Sequence, residues 1–247
     1  MVLRGGGTAG TERARPAAST RSERQRYECA QLRYEASGCS ARLADSAGVF
    51  EQLFEEQVQL CIWRRAPDEI LRAYLERSVR SGAWERRRAV SVGEPSLDEK
   101  VRGLLAGFEE DLGRVRWATE LLCLIDLFAA LSDTPRIGVR MVATPRCARP
   151  RFHTDAAGLR LLCTWVGEGQ EWVAREDGVA RATGSMSVSN GSRVAGRAYS
   201  GATVHRMDTF AVGVFKGEGW PGNHGRGALH RSPQPADWRV WVALDSL

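Results

Sequence analysis

The sequence predicts an α+β protein in which a helical N-terminal half packs on a C-terminal half of short antiparallel strands. Two observations predict this division. Up to Pro135, apolar residues recur at spacings of three and four, as they do along one face of a helix. Beyond Pro135, they form short runs separated by Gly, Asn and Ser turns, which is typical of an antiparallel barrel or a double-sheet jelly roll.

The chain divides into a leader and one domain. Residues 1–40 lack hydrophobic periodicity and are rich in Arg, Ala, Gly and Ser, so we expect a disordered basic leader. An organellar import signal is the alternative for this segment. Residues 41–247 are expected to form a single domain, with a helical part at 41–134 and a strand part at 135–247. Because residues 1–27 carry +4 of the +5 net charge, a basic nucleic-acid-binding face on the domain is excluded.

Three helical segments are expected in the first part of the domain. They run over residues 46–63, 67–81 and 95–133. Asp45 or Ser46 is a suitable cap for the first segment, and Pro67 lies in the first turn of the second. Gly113 is expected to break the third segment into two helices or to kink it, and Pro135 stops it.

Five strands are expected in the second part of the domain. They lie at residues 137–142, 159–165, 171–173, 210–216 and 238–244.

Several sequence features exclude other classes of protein. The most apolar stretch, residues 121–131, is short and contains Asp126, so we expect a buried helix and no membrane span. The six Cys are scattered without a Cys-x-x-Cys pair, which favours reduced thiols in the cytoplasm. No Gly-x-Ser-x-Gly elbow, phosphate-binding loop or dinucleotide fingerprint is present, so hydrolase, kinase and dehydrogenase functions lack support.

The triplet His153-Thr154-Asp155, with His230 far downstream, is the candidate metal site. Side chains alternate along an extended strand, so His153 and Asp155 point to the same face. A second imidazole from a distant strand completes a triad that leaves three positions of an octahedral ion open, as in non-haem Fe(II) oxygenases. The alternative for the triplet is a solvent-exposed polar turn before a strand.

Arg239 lies nine residues beyond His230, at the head of the last expected strand. A guanidinium there would bind the far carboxylate of a dicarboxylate co-substrate through two hydrogen bonds. Arg160 and Arg231 are rival anchors for the same co-substrate. An ordinary edge-strand charge is the alternative for Arg239, in a chain with 33 Arg.

Four further residues are candidates for the surroundings of the metal. His224, in a Gly-rich segment, is an alternative third ligand. Cys147 either faces the site or is a small buried residue. Lys216, with Glu218, either contacts an anionic substrate at the mouth of the pocket or ends an exposed strand. Trp165 belongs either to the core or to the pocket wall.

Four ordered segments of the chain resemble domain-of-unknown-function family 1826. They are residues 150–155, 159–165 with 171–172, 215–218 and 229–233. The resemblance spans residues 45–245. Some members of that family are associated with zinc-responsive metallochaperone GTPases, so the resemblance implies metal handling and a metallochaperone GTPase as a partner.

The order His153, Asp155, His230 and Arg239 also resembles the Fe(II)/2-oxoglutarate-dependent dioxygenases. This resemblance implies a double-stranded β-helix and an iron ion bound by the triad. It further implies that Arg239 binds the distal carboxylate of 2-oxoglutarate. The expected reaction is hydroxylation or oxidative demethylation of an unknown substrate by dioxygen.

Two other functions stay open on the sequence. A non-catalytic zinc-binding protein linked to metal homeostasis would add His224 or Cys147 to the same cluster, because closed four-ligand zinc sites are structural. The other is an interaction module that binds no metal. For such a module, His153→Ala would leave metal content and stability unchanged.

Overall fold

A computed structural model describes residues 40–174, 187–189, 192–194, 203–234 and 237–247. Apart from Ser40, the predicted basic leader lies outside the described residues. Among the helices of the described part, none is both long enough and apolar enough to span a bilayer.

The described residues form strands that belong to two sheets. In chain order they are β1 (Ala41–Ala44), β2 (Leu60–Trp63), β3 (Trp84–Ser91), β4 (Arg136–Thr144), β5 (His153–Thr154), β6 (Leu159–Val166), β7 (Glu171–Val173), β8 (Ser187–Ser189), β9 (Ser192–Val194), β10 (Val204–Arg206), β11 (Val212–Lys216), β12 (Leu229–Arg231) and β13 (Arg239–Ser246). The larger sheet has the order β1-β2-β11-β6-β13-β4-β3, and the smaller has the order β10-β7-β12-β5-β9-β8.

The chain of the C-terminal half passes repeatedly between the two sheets, and among the described strands only β7 to β10 follow one another within the smaller sheet. Strands β4, β6, β11 and β13 lie in the larger sheet, whereas β5, β7, β10 and β12 lie in the smaller one. Neighbours within each set of four pair antiparallel. Eight antiparallel strands shared between two sheets in this way are the connectivity of a jelly roll. The strands predicted from the sequence agree with the observed ones to within about two residues at each end.

Three α-helices cover the outer face of the larger sheet. They are α1 (Glu69–Ser78), α2 (Leu97–Leu104) and α3 (Leu112–Ser132). Trp117 and Phe128 of α3 share one buried core with Val240 and Val242 of β13. Because strand side chains alternate, Arg239 and its same-face neighbours on β13 point away from the helices, toward the smaller sheet.

The helix ends follow the capping chemistry of the sequence. Asp68 accepts hydrogen bonds from the amides of Ile70 and Leu71, both at 3.1 Å, at the start of α1. Asp111 caps α3 in the same way. The expected stop before Pro135 is also observed, since α3 ends at Ser132. The apolar stretch at residues 121–131 is part of this helix, as expected.

The N-terminal half is mixed, which differs from the predicted helical half. Ser46 begins a 3-10 helix, Ala47–Phe54, and the chain then enters β2. The residues of β2 are an unbroken apolar run, and the strand is buried between β1 and β11. An apolar run of four does not by itself distinguish a buried strand from part of a helix, so only the pairing partners decide.

Gly113 has a different role from the predicted break. The interruption between α2 and α3 lies before it, and Gly113 is the second residue of α3. A Cβ at this position would lie 2.4 Å from the Cβ of Tyr74 in α1. Glycine therefore permits the close approach of α1 and α3.

Candidate metal centre

The first two candidate ligands lie at the end of a very short strand. His153 opens β5, and Asp155 follows directly after it. Both side chains are buried, with exposed fractions of 4% and 3%. The backbone carbonyl of Asp155 accepts a hydrogen bond of 2.7 Å from the amide of Glu218, so the β11–β12 loop holds this strand end in place.

The third candidate ligand reaches the site through strand pairing. His230 of β12 is the register partner of His153, and the two imidazole rings lie 4.5 Å apart. On its other side, His230 packs against Phe215 of the larger sheet at 4.6 Å between ring centroids. The three side chains therefore converge between the two sheets of the jelly roll. Their ligand atoms all lie within 4.8 Å of one another.

Hydrogen bonds orient both imidazoles for metal binding. Nδ1 of His153 lies 3.1 Å from the carbonyl oxygen of Arg151, and Nδ1 of His230 lies 3.1 Å from that of Ala228. A carbonyl can only accept, so each Nδ1 carries the proton and donates it. Each Nε2 then has a lone pair that is free to bind a metal, as in histidine ligands whose other ring nitrogen is hydrogen-bonded to the protein.

The electrostatics of the site favour the deprotonated forms of His153 and Asp155. Burial, together with the neighbouring His230, lowers the pKa of His153 to about 4. Burial alone would raise the pKa of Asp155, but the neighbouring His230 and the positive charge of Arg160 outweigh it and hold the pKa of this carboxyl below its usual value. At neutral pH, a divalent cation would displace no proton from either residue.

Arg160, a predicted co-substrate anchor, is engaged by two carboxylates. Its Nε and Nη2 donate to the two oxygens of Asp245 at 2.7 and 2.9 Å. Its Nη1 donates to Oδ1 of Asp155. Arg160 thus lies beside the triad and touches one of its members.

Arg239 has a different environment, although it is the most deeply buried of the three arginines, with 1% exposed. Its Nε donates to the carbonyl of Glu168 at 2.6 Å, and its Nη2 donates to the hydroxyl of Thr164 at 3.3 Å. Its Nη1 is buried and has no hydrogen-bond partner in the described part of the chain. Burial lowers the pKa of Arg239 to about 10, so the guanidinium remains charged at neutral pH.

Arg231 and Cys147 lie near the site without joining the triad. Arg231 follows His230 on β12 but points to the opposite face, where its Nε donates to Glu171 at 2.6 Å. The Sγ of Cys147 lies 3.6 Å from the carbonyl oxygen of Ser232.

The remaining predicted residues are placed elsewhere. The side chain of His224 is 85% exposed, with Glu218 as its charged neighbour at 4.0 Å. Lys216 is buried, and its Nζ donates to the carbonyl of Glu55 at 2.9 Å. Trp165 lies in the core under the helices, where it meets Trp117 edge to face. Of the two predicted roles of Trp165, the core position is the one observed.

Sequence reasoning missed Asp245 and Thr164. Asp245 lies six residues after Arg239 on the same strand, so strand alternation places both on the inner face. Thr164 lies four residues after Arg160, again on the same face. Strand alternation could have shown that these residues share the inner face. It does not predict which residues of that face contact one another.

Fold and site together define a jelly-roll protein with a potential two-His, one-carboxylate metal site. The chain belongs to the family described as protein of unknown function (DUF1826), whose model matches residues 44–245. No curated protein matches the chain.

Solved structures to which the chain is weakly similar include a dioxygenase, a hydroxylase and an oxidoreductase. A dioxygenase for auxin oxidation from rice is 17% identical with a TM-score of 0.45, over 84% of this chain and 82% of that chain. A prolyl-4-hydroxylase from Pseudomonas putida is 12% identical with a TM-score of 0.41, over 81% and 96%. An oxidoreductase of the 2OG-Fe(II) oxygenase family from Burkholderia pseudomallei is 15% identical with a TM-score of 0.38, over 83% and 91%. At these values the likeness carries no argument about the chemistry of this chain.

Proposed function

We propose that this protein is a non-haem Fe(II)- and 2-oxoglutarate-dependent oxygenase that hydroxylates or demethylates a substrate still to be identified. The observation that carries the proposal is the convergence of His153, Asp155 and His230 between the two sheets. We further infer that the eight strands shared between the two sheets are a double-stranded β-helix, with the site between its two layers.

The donor set fits a divalent transition metal. Two neutral imidazole nitrogens and one carboxylate suit Fe(II), and three protein ligands leave positions open on an octahedral ion. Oδ2 of Asp155 supports this fit, because it is buried, has no hydrogen-bond partner among the described residues and lies 3.3 Å from Nε2 of His230. A buried carboxylate oxygen without a hydrogen-bond donor is costly unless a cation binds it.

Arg239 fits the distal carboxylate of a dicarboxylate co-substrate. Within the part of the chain that the structure describes, its buried Nη1 lacks an acceptor, whereas the rival anchors are already bound to acidic residues: Arg160 to Asp245 and Arg231 to Glu171. An incoming carboxylate would satisfy Nη1 and neutralise the buried charge. The hydroxyl of Thr164, which already accepts from Arg239, lies beside the same guanidinium.

When bound, Fe(II) with 2-oxoglutarate supplies the activation of dioxygen that oxidises the substrate. The chain's own residues bind and orient. The triad would hold the metal and Arg239 would hold the far carboxylate, while Phe215 packs against His230 and excludes water from that side.

A non-catalytic zinc-binding protein is the alternative function. It needs a fourth ligand, and in the described part of the chain the cluster contains three. His224 is largely exposed, and Cys147 contacts a backbone carbonyl. The placement of these two residues therefore favours the open site of the oxygenase.

An anaerobic titration of metal-free protein with Fe(II) and 2-oxoglutarate tests the proposal. We expect a visible metal-to-ligand charge-transfer band that is lost in His153→Ala and weakened in Arg239→Ala. His224→Ala is the matched control, because it removes an imidazole outside the triad, and the band should stay. If no band appears and the protein instead binds zinc stoichiometrically, with that binding lost in His153→Ala, the oxygenase function is wrong and the protein is a zinc-binding protein.

A further inference from the structure

Arg160 bridges the candidate metal ligand Asp155 to a second carboxylate on a neighbouring strand. Arg160 of β6 and Asp245 of β13 are register partners. The guanidinium binds both oxygens of Asp245 at 2.7 and 2.9 Å and still directs Nη1 to Oδ1 of Asp155. Because a guanidinium is planar, two hydrogen bonds on one side fix the direction in which the N–H groups on its other side point. A lysine ammonium has no such fixed geometry.

This contact divides the two oxygens of Asp155 between two tasks. Oδ1 accepts from Arg160, and Arg149 approaches the same oxygen at 3.8 Å from a more exposed position. Oδ2 has no hydrogen-bond partner in the described residues and faces Nε2 of His230 at 3.3 Å. Oδ1 is therefore held by the guanidinium, at 3.9 Å from Nε2 of His153, and Oδ2 is left free of the described donors and faces His230.

The difference matters for the number of open positions on the metal. A carboxylate that binds through both oxygens occupies two coordination positions, and with two imidazoles it leaves two free. A carboxylate held through one oxygen leaves three, which is the number that a bidentate co-substrate and dioxygen require together.

We propose that Arg160, aligned by Asp245, is a positioning residue that keeps Asp155 a one-oxygen ligand and sets the direction of Oδ2. This inference rests on the proposed metal site and goes beyond it, because it assigns functions to two residues that bind neither metal nor co-substrate. Arg160 is thereby assigned to the metal ligand and not to the far carboxylate of a co-substrate.

A purely structural role for the same ion pair is the competing explanation. Buried ion pairs can tie two strands together without any consequence for a site. The two explanations differ in metal binding: a strand tie affects unfolding, whereas a positioning residue affects affinity and coordination. Residues that orient metal ligands typically change metal affinity about 10- to 100-fold when they are replaced.

The test is anaerobic binding of Co(II), a spectroscopic substitute for Fe(II), to the full chain. Its visible absorption reports coordination, and thermal unfolding is followed in parallel. We expect Arg160→Gln to raise the Kd for Co(II) about 10- to 100-fold and to change the absorption band. Arg160→Lys should give an intermediate Kd, because a lysine keeps the charge but cannot bind both oxygens of Asp245.

The matched control is Arg231→Gln. Like Arg160, Arg231 is paired with a carboxylate. It is adjacent to His230 in the sequence, but its side chain lies on the opposite face of the strand. The Kd of this variant for Co(II) and its absorption band should equal those of the wild-type protein.

The outcomes separate this inference from the function on which it rests. One outcome overturns the positioning role but leaves the metal site in place. In that outcome, wild-type protein binds Co(II), His153→Ala does not bind it, and folded Arg160→Gln keeps the wild-type Kd and absorption band. If wild-type protein binds no Co(II), the metal site itself is wrong. If Arg160→Gln does not fold, Asp245→Asn decides: a several-fold higher Kd supports the role, and an unchanged Kd overturns it.

Discussion

Replacement of Arg239 by Gln should abolish most of the stabilisation that 2-oxoglutarate confers on the metal-loaded protein. Among the described residues, the buried guanidinium of Arg239 has two neutral acceptors, the carbonyl of Glu168 and the hydroxyl of Thr164, and its Nη1 has no partner. The co-substrate carboxylate is expected to supply that partner. Glutamine keeps a hydrogen-bonding side chain, although a shorter one, and removes the charge.

The magnitude follows from linkage between binding and folding. A ligand present at 100 times its Kd stabilises the folded state by about 2.7 kcal/mol. For a chain of this size that corresponds to a rise in Tm of roughly 5–11 °C. Loss of a buried, charged hydrogen-bond partner costs at least about 2 kcal/mol of binding, which raises Kd about 30-fold. At the same ligand concentration the stabilisation then falls below about 1 kcal/mol, or less than roughly 4 °C.

The assay is thermal unfolding of the Mn(II)-loaded protein, with and without 2-oxoglutarate. Arg239→Lys keeps the charge but offers a single-point contact, so an intermediate rise in Tm is expected. Arg231→Gln should show the full rise, since Arg231 is already bound to Glu171. A wild-type rise in Arg239→Gln would refute the assignment of this guanidinium to the co-substrate.

Three further predictions concern the supports of the site and its protonation. Gly217→Ala should lower the Tm of the metal-free protein and weaken metal binding, because a Cβ there would lie 2.0 Å from the carbonyl oxygen of Ala157, next to the end of β5. Peptide mapping after brief alkylation of native protein should find Cys123 modified and Cys163 protected, since Cys123 is exposed whereas burial raises the pKa of Cys163 to about 12. Because burial lowers the pKa of His153 from 6.5 to about 4, the unfolded chain binds a proton between these values that the folded chain does not. The Tm of metal-free protein should therefore fall as pH decreases from about 6.5 to 4, and His153→Gln should reduce that dependence; an equal slope in both proteins would contradict it.

The two candidate ligands His153 and Asp155 could be predicted together because strand alternation acts between residues two apart. His230 could be named as a candidate but not placed, since its meeting with His153 depends on the register of β12 against β5. Register is set by the whole sheet and its turns, and one residue of slip would turn His230 to the other face.

The choice among the arginines could not be made from the sequence, which offers 33 of them. What distinguishes Arg239 from Arg160 and Arg231 is the absence of an acidic partner in the described residues, and such partners are tertiary neighbours. Asp245 comes from an adjacent strand 85 residues away. Strand β2 was not predicted for a related reason. Its residues have an apparent helical spacing, and its pairing with β1 and β11 outweighs that local preference.

The central claim is that the triad holds a metal with positions left open for both co-substrate and dioxygen. The most direct measurement is the EPR spectrum of the anaerobic Fe(II) protein exposed to nitric oxide, a stable substitute for dioxygen, before and after 2-oxoglutarate is added. The account predicts a half-integer-spin Fe(II)–nitric oxide signal that changes shape when 2-oxoglutarate is added and is missing in His153→Ala. Iron-loaded protein that gives no such signal, or a signal that 2-oxoglutarate leaves unchanged, would contradict an open site for two ligands.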